Sequence, residues 1–242
     1  MIDYSLASKL KTAYKSAHPY PYVVIDNFLP EYLLNRSLDE IKKHDYWYHN
    51  TMEWIKQYEV NKFYTPNHDT NIPELKKQIP YTSLIVDYFN TPEFLNFLRE
   101  LTGHDNLYCD DTLMGGGIHK INNGGKLSIH TDYNEHPVTG HLRKLNLLLY
   151  MNHDWKDEYN GHLELWERDY SREVVKIAPV FNRVVIFDIE NAPHGHLTPL
   201  MVPSNISRYS LALYYFLPKA SEEPRPVFFS NDDYIFQMTR LK

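Results

Sequence analysis

Between Gly103 and Leu217 the chain is a succession of short apolar runs, four to nine residues long, each bounded by turn residues. Runs of that length are too short for helices and suit strands buried on at least one face. The predicted strands are Leu107–Leu113, Gly117–Ile121, Lys126–His130, Lys144–Met151, His162–Glu167, Val174–Ile177, Arg183–Asp188 and Arg208–Phe216. Asn122-Asn123-Gly124-Gly125, Asn160-Gly161, Ala178-Pro179 and Ser204-Asn205 supply turns between them. Eight short strands in sequence predict a β-sandwich or jelly roll.

Upstream the period is different. After a short strand at Val23–Asp26, Pro30 stands where a first helical residue would, and Leu33, Leu34, Leu38 and Ile41 recur at helical spacing over Glu31–His44. Thr91-Pro92-Glu93 reads as a helix start (N-cap, first-turn proline, first-turn acid), and Gly103 as its stop. The whole predicts a mainly β fold with helical support, a jelly-roll core packed against N-terminal helices. Residues 1–242 form one domain in this reading: 1–104 a mostly helical support layer, 105–217 the core, 218–242 a C-terminal extension.

Charge and cysteine content narrow the function classes. With 25 basic against 31 acidic residues, a net charge of −6, the chain has no basic footprint for a dedicated nucleic-acid partner. Its single cysteine, Cys109, builds neither an intrachain disulfide nor a cysteine-rich zinc site. No basic-then-apolar leader and no long apolar run is present, so the expectation is a cytoplasmic protein with no membrane partner.

Chemistry concentrates in the histidines. His130-Thr131-Asp132 is the sole His-x-Asp, and on a strand residues i and i+2 share a face, so both side chains reach one ion. Taken alone, it reads as an ordinary surface pair. Further on stands His194-Gly195-His196, after four strand-like segments that can bring the chain back beside its start, and then Arg208 opening the last strand. Two imidazoles and one carboxylate form the open ligand set of non-haem Fe(II) oxygenases. An arginine nearby can clamp a carboxylate through two parallel hydrogen bonds.

These pieces fall in an order that resembles a known family. The run His130-Thr131-Asp132, Arg143 to Asn152, Trp155, Gly161 to Trp166, Pro179 to Phe187, His194-Gly195-His196 and Arg208-Tyr209-Ser210 looks like the prolyl-hydroxylase-like branch of the Fe(II)/2-oxoglutarate dioxygenases. The resemblance covers residues 105–217 and implies a double-stranded β-helix with iron at one open end. It implies His130, Asp132 and His194 as iron ligands, Arg208 on the distal carboxylate of 2-oxoglutarate, and Tyr150 on that same carboxylate. Its cofactors would be Fe(II), 2-oxoglutarate and O2, with ascorbate as an optional addition. Its activity would be hydroxylation of an unactivated C–H bond, coupled to decarboxylation of 2-oxoglutarate to succinate.

Competing readings stay open at this point. His162-Leu163-Glu164 also has metal-ligand spacing, and His194 and His196 share a face; the family pattern favours His194. Arg143 and Arg183 each precede an apolar run and are expected to be structural and to face water. Gly115-Gly116-Gly117 and Gly124-Gly125-Lys126 read as turn and packing glycines, since Lys120 and Leu127 break a phosphate-loop pattern. Tyr46, Trp47, Tyr48, Trp54, Tyr58, Phe63 and Tyr64 read as packing aromatics before a substrate lid. Asn35-Arg36-Ser37 and Asn205-Ile206-Ser207 match glycosylation sequons by chance in a protein that stays out of the secretory route. Substrate is expected to lie against 44–70, 133–142 and 189–204, and to be a protein or peptide side chain such as proline. The alternatives are a small metabolite and, in another class, a non-redox cupin-like metal-binding jelly roll.

Overall fold

The structure is a computed structural model that describes residues 3–44, 47–49, 59–64, 76–110, 113, 115–136 and 139–218. In chain order the elements are α1 (Leu6–Ser16), β1 (Tyr22–Ile25), α2 (Glu31–Lys43), β2 (Tyr48–His49), β3 (Glu59–Tyr64), α3 (Pro80–Phe89) and α4 (Pro92–Thr102). Then follow β4 (Tyr108–Cys109), β5 (Gly117–His130), β6 (Leu142–Tyr150), β7 (Leu163–Trp166), β8 (Glu173–Ile177), β9 (Arg183–Asp188), β10 (His194–His196) and β11 (Arg208–Leu217).

Local chemistry sets the helix ends. Thr91 Oγ1 accepts the Phe94 amide at 3.3 Å, and Gly103 takes a φ of 82° to end α4. Pro30 caps α2 rather than forming its first turn, one position earlier than its spacing predicts.

All strands pair antiparallel in the order β1-β9-β6-β11-β5-β10-β7-β8, with β3 also on β5 and β4 on β11. This is the jelly-roll core expected from the strand pattern. Alternation along β6 and β9 divides two cores. Leu145, Leu147, Leu149, Val184 and Ile186 pack with Leu34, Leu38, Phe94 and Leu98 of the helices. The alternate residues Tyr150, Val185 and Phe187 pack inward with Leu163 and Leu165.

One expected boundary moves. Asn122–Gly125 does not divide two strands; β5 runs through it as a single strand. Its first half, Gly117–Ile121, pairs with β11, and Leu127–His130 at its far end pairs with β10. On the β3 side, Val60 opposes Lys126 and Lys62 opposes Ile121, so the ladder is broken opposite Asn122–Gly125. The turn residues therefore form an excursion where β5 changes partner. The predicted strand Leu107–Leu113 shrinks to Tyr108–Cys109, with residues 111 and 112 outside the described set. Among the described residues no helix is long and apolar enough to cross a membrane.

Trp47 packs its ring 6.3 Å from that of Tyr209, in keeping with a packing role. Tyr46, Trp54 and Tyr58 lie outside the described residues, as do the side chains of Tyr48, Phe63 and Tyr64, and the extension from residue 219 onward.

Candidate metal centre and co-substrate pocket

His130 closes β5, and Asp132 sits two residues beyond the strand end. In β10 His194 pairs directly with His130. Gly195 makes this approach possible: a Cβ there would stand 2.7 Å from the Ser128 carbonyl oxygen. The donor atoms of His130, Asp132 and His194 all lie within 4.8 Å of one another. His130 Nε2 is 3.6 Å from Asp132 Oδ1, and His194 Nε2 is 3.5 Å from Asp132 Oδ2.

Each imidazole is oriented by its own chain. Ser128 O lies 2.8 Å from His130 Nδ1, and Ala192 O lies 2.9 Å from His194 Nδ1. A carbonyl only accepts, so both Nδ1 atoms carry the proton and both Nε2 lone pairs point to the shared space. Burial pushes His194 down to about 4, which keeps it neutral and ready to ligate.

Burial is the largest single influence on the Asp132 carboxyl and would raise it, but the Arg143 guanidinium, together with His194 and His130, outweighs it and holds the group well below the usual carboxylate range. Arg143 Nη2 is 2.9 Å from Asp132 Oδ2, and Asn146 Nδ2 donates to the same oxygen at 2.6 Å. Arg143 also donates to Asn146 Oδ1 and lies over the Tyr214 ring at 3.3 Å. Here the expectation that Arg143 faces water is corrected. The β6–β11 register skips Lys144, pairing Arg143 with Phe216 and Leu145 with Tyr215, so Arg143 turns to the same interior face as Asn146. Asn146 was missed as well, although an amide among interior leucines is a legible signal. Arg183 is structural as expected, forking onto Asp26 at 2.6 and 2.8 Å.

One cavity runs from the triad to Arg208, walled by His119, Ile121, Leu148, His196 and Ser210 among others. Arg208 is 5% exposed. Its Nε donates to Gly161 O at 2.8 Å and its Nη2 to Tyr150 Oη at 3.4 Å. No carboxylate among the described residues pairs with it. Tyr150 is fully buried and touches the guanidinium rather than the cavity wall; burial raises its phenol, with Arg208 pulling the other way, so it stays protonated.

The rival pair lies elsewhere. His162 Nε2 is 3.3 Å from Asp157, while Glu164 accepts the Leu197 amide and the Trp166 indole at 3.1 Å. Neither joins the metal-capable group.

Residues 116–216 match the family model described as the 2OG-Fe(II) oxygenase superfamily. No curated protein matches the chain in sequence. In fold it is similar to prolyl 4-hydroxylase from Phytophthora capsici (23% identity, 100% of this chain and 76% of that one, TM-score 0.59). It is also similar to a prolyl hydroxylase from Trichoplax adhaerens in complex with a hypoxia inducible factor oxygen degradation domain peptide fragment (20% identity, 88% and 91% covered, TM-score 0.57). A third likeness is to HygX from Streptomyces hygroscopicus with nickel, 2-oxoglutarate and hygromycin B bound (12% identity, 85% and 86% covered, TM-score 0.54). Segment 116–216 thus belongs to the 2OG-Fe(II) oxygenase superfamily, the class of 2-oxoglutarate-dependent dioxygenases. Within it the fold is prolyl-hydroxylase-like, and the co-reactants of the class are Fe(II), 2-oxoglutarate and O2.

Proposed function

We propose that this chain hydroxylates an unactivated C–H bond of a protein or peptide side chain, such as proline, with conversion of 2-oxoglutarate to succinate and CO2. The observation that carries the reading is a buried cation with no anion of its own among the described residues. Arg208 lies in the same cavity as the His-Asp-His group, and a guanidinium held out of water this way calls for a carboxylate from a ligand.

In this proposal His130, Asp132 and His194 hold Fe(II) through two nitrogens and an oxygen, a donor set that suits that ion and leaves positions open. Iron with 2-oxoglutarate and O2 supplies the oxidising chemistry. Arg208 binds the distal carboxylate, and Tyr150 braces the guanidinium while its own proton remains available for the same carboxylate. Arg143 and Asn146 fix the Asp132 carboxylate. Leu148, Leu163 and Ile121 exclude water from the cavity.

The peptide class is supported by the likeness in fold to prolyl hydroxylases, one of them bound to a peptide fragment. A small-molecule substrate is the second reading, supported by the likeness to HygX with hygromycin B bound. One domain over the whole chain and a cytoplasmic location, in keeping with a single cysteine, belong to the same proposal. The test is incubation with Fe(II), 2-oxoglutarate and air. Succinate should form without substrate at a low rate, and peptide and metabolite pools should be searched for products heavier by one oxygen. No succinate under any condition would remove the enzymatic reading; products confined to metabolites would move the substrate class.

A further inference from the structure

This inference rests on the assignment of Arg208 to the distal carboxylate, and it concerns what fixes that guanidinium. Arg208 opens β11 where three segments meet. The first is the excursion of β5: Asn122 Oδ1 accepts from Ser207 Oγ at 2.8 Å and Asn123 Oδ1 from the Val202 amide at 3.0 Å. Gly124 N donates to Leu200 O at 2.8 Å, and Leu200 N returns a bond to Gly125 O at 2.9 Å. The second segment is 155–161. Trp155 Nε1 donates to Asn160 O and Asn160 Nδ2 to Pro199 O, both at 3.0 Å, and the Met201 amide donates to Tyr159 O at 3.1 Å. The third is 199–207 itself, whose Leu200 and Val202 bury against Ile121 in a small separate core.

Gly161 is where this corner touches the arginine. Its carbonyl takes the Arg208 Nε proton at 2.8 Å, and its φ is +71°. A Cβ at this position would stand 2.3 Å from Leu200 Cδ2, 3.1 Å from Arg208 Cδ and 3.4 Å from Arg208 Nε. A side chain at 161 does not fit while both neighbours stay where they are, and the backbone conformation itself disfavours one.

We propose that Gly161 is a positioning residue for co-substrate binding: its carbonyl engages the Nε edge of Arg208 and its missing side chain makes room for the arginine stem. With Nε engaged by Gly161 and one Nη2 proton directed at Tyr150 Oη, Nη1 and the second Nη2 proton are left to the ligand. The surrounding corner, tied by six hydrogen bonds among its three segments, holds that pose before any ligand arrives. Preorganisation of this kind strengthens binding by removing an ordering cost.

The experiment compares wild type, Gly161→Ala and Arg208→Lys, each loaded with Co(II), by calorimetric titration with 2-oxoglutarate. Co(II) affinity and thermal midpoint are measured in parallel. Gly161→Ala should raise the Kd for 2-oxoglutarate roughly tenfold or more, the loss of one well-aimed bond to a charged group, and leave Co(II) affinity unchanged. In turnover it should raise KM for 2-oxoglutarate and leave kcat at saturation nearly as it was. Because the added methyl also meets buried Leu200, Gly161→Ala/Leu200→Ala is measured against Leu200→Ala alone. There the methyl gains room on one side but still crowds the Arg208 stem, so 2-oxoglutarate affinity should still fall. A folded protein in either comparison that binds 2-oxoglutarate as its reference does overturns the inference. If Arg208→Lys itself binds 2-oxoglutarate like wild type, the assignment of Arg208 falls and takes the inference with it. If Arg208→Lys weakens binding and Gly161→Ala does not, the role of Gly161 alone is lost.

Discussion

Arg143 Nη2 stands 2.9 Å from Asp132 Oδ2, with 1% of the arginine side chain and 11% of the aspartate side chain exposed. Breaking a buried pair by removing one partner leaves an uncompensated charge, which costs about 3–5 kcal/mol. Arg143→Met should therefore lower the unfolding free energy of the metal-free protein by about that amount, read by urea denaturation. A loss below about 1 kcal/mol would mean that Asn146 alone satisfies the carboxylate.

The assignment of metal ligands separates cleanly by substitution. His194→Ala and Asp132→Ala should each abolish Co(II) binding and succinate formation, since two remaining donors do not hold the ion in a facial set. His162→Ala should leave both unchanged, because His162 is turned toward Asp157. Loss of metal in His162→Ala would reassign the site.

Tyr150 bears on the arginine, not on iron. Tyr150→Phe removes the oxygen that Arg208 Nη2 approaches at 3.4 Å, a long contact. The expected result is a several-fold rise in KM for 2-oxoglutarate, smaller than that of Arg208→Lys, with kcat held. A fall in kcat at saturating 2-oxoglutarate would place the phenol in the chemical step instead.

Asp188, which does not line the cavity, gives a pH dependence of known sign. Its carboxyl is pulled below the usual range because His104 and Lys144, together with the Glu190 amide, outweigh the opposing effect of burial. A depressed carboxyl contributes stability that is present above its unfolded value of about 3.9 and is lost as pH falls toward the lower folded value. Asp188→Asn should therefore flatten the acid limb of stability below about pH 4, measured by denaturant titration at a series of pH values. An acid limb identical to wild type would show that other carboxylates carry it.

Part of this architecture is written locally and was legible. The helix start at Thr91-Pro92 and stop at Gly103 are set within a few residues; strand β9 follows from the run Val184-Val185-Ile186-Phe187, and β11 from the apolar run Leu211 to Leu217. The spacing of His130, Asp132 and His194 shows through because strands alternate and a jelly roll returns the chain beside itself. What did not show through depends on distant pairing. Asn122–Gly125 has the composition of a hairpin turn, and only the competition between β11 and β10 for β5 makes it an excursion. Arg143 was misread because one skipped residue in the β6–β11 ladder reverses its face, and a period of two carries no mark of the slip. Likewise His162-Leu163-Glu164 and His130-Thr131-Asp132 are equivalent by spacing; what distinguishes them is which histidine His194 meets across the sheet.

Because β5 carries His130 at one end and, through Ile121, the partner of Arg208 at the other, a single stretch of backbone is the ruler between the two anchoring points. Each residue inserted into a strand advances it by about 3.3 Å, far more than a coordination sphere tolerates. In the tract between these anchors Asn122 and Asn123 are tied through their side-chain carbonyls to Ser207 and Val202, and the length of the tract is fixed as well. A duplication or deletion of one amino acid there would leave both halves folded and out of step with each other.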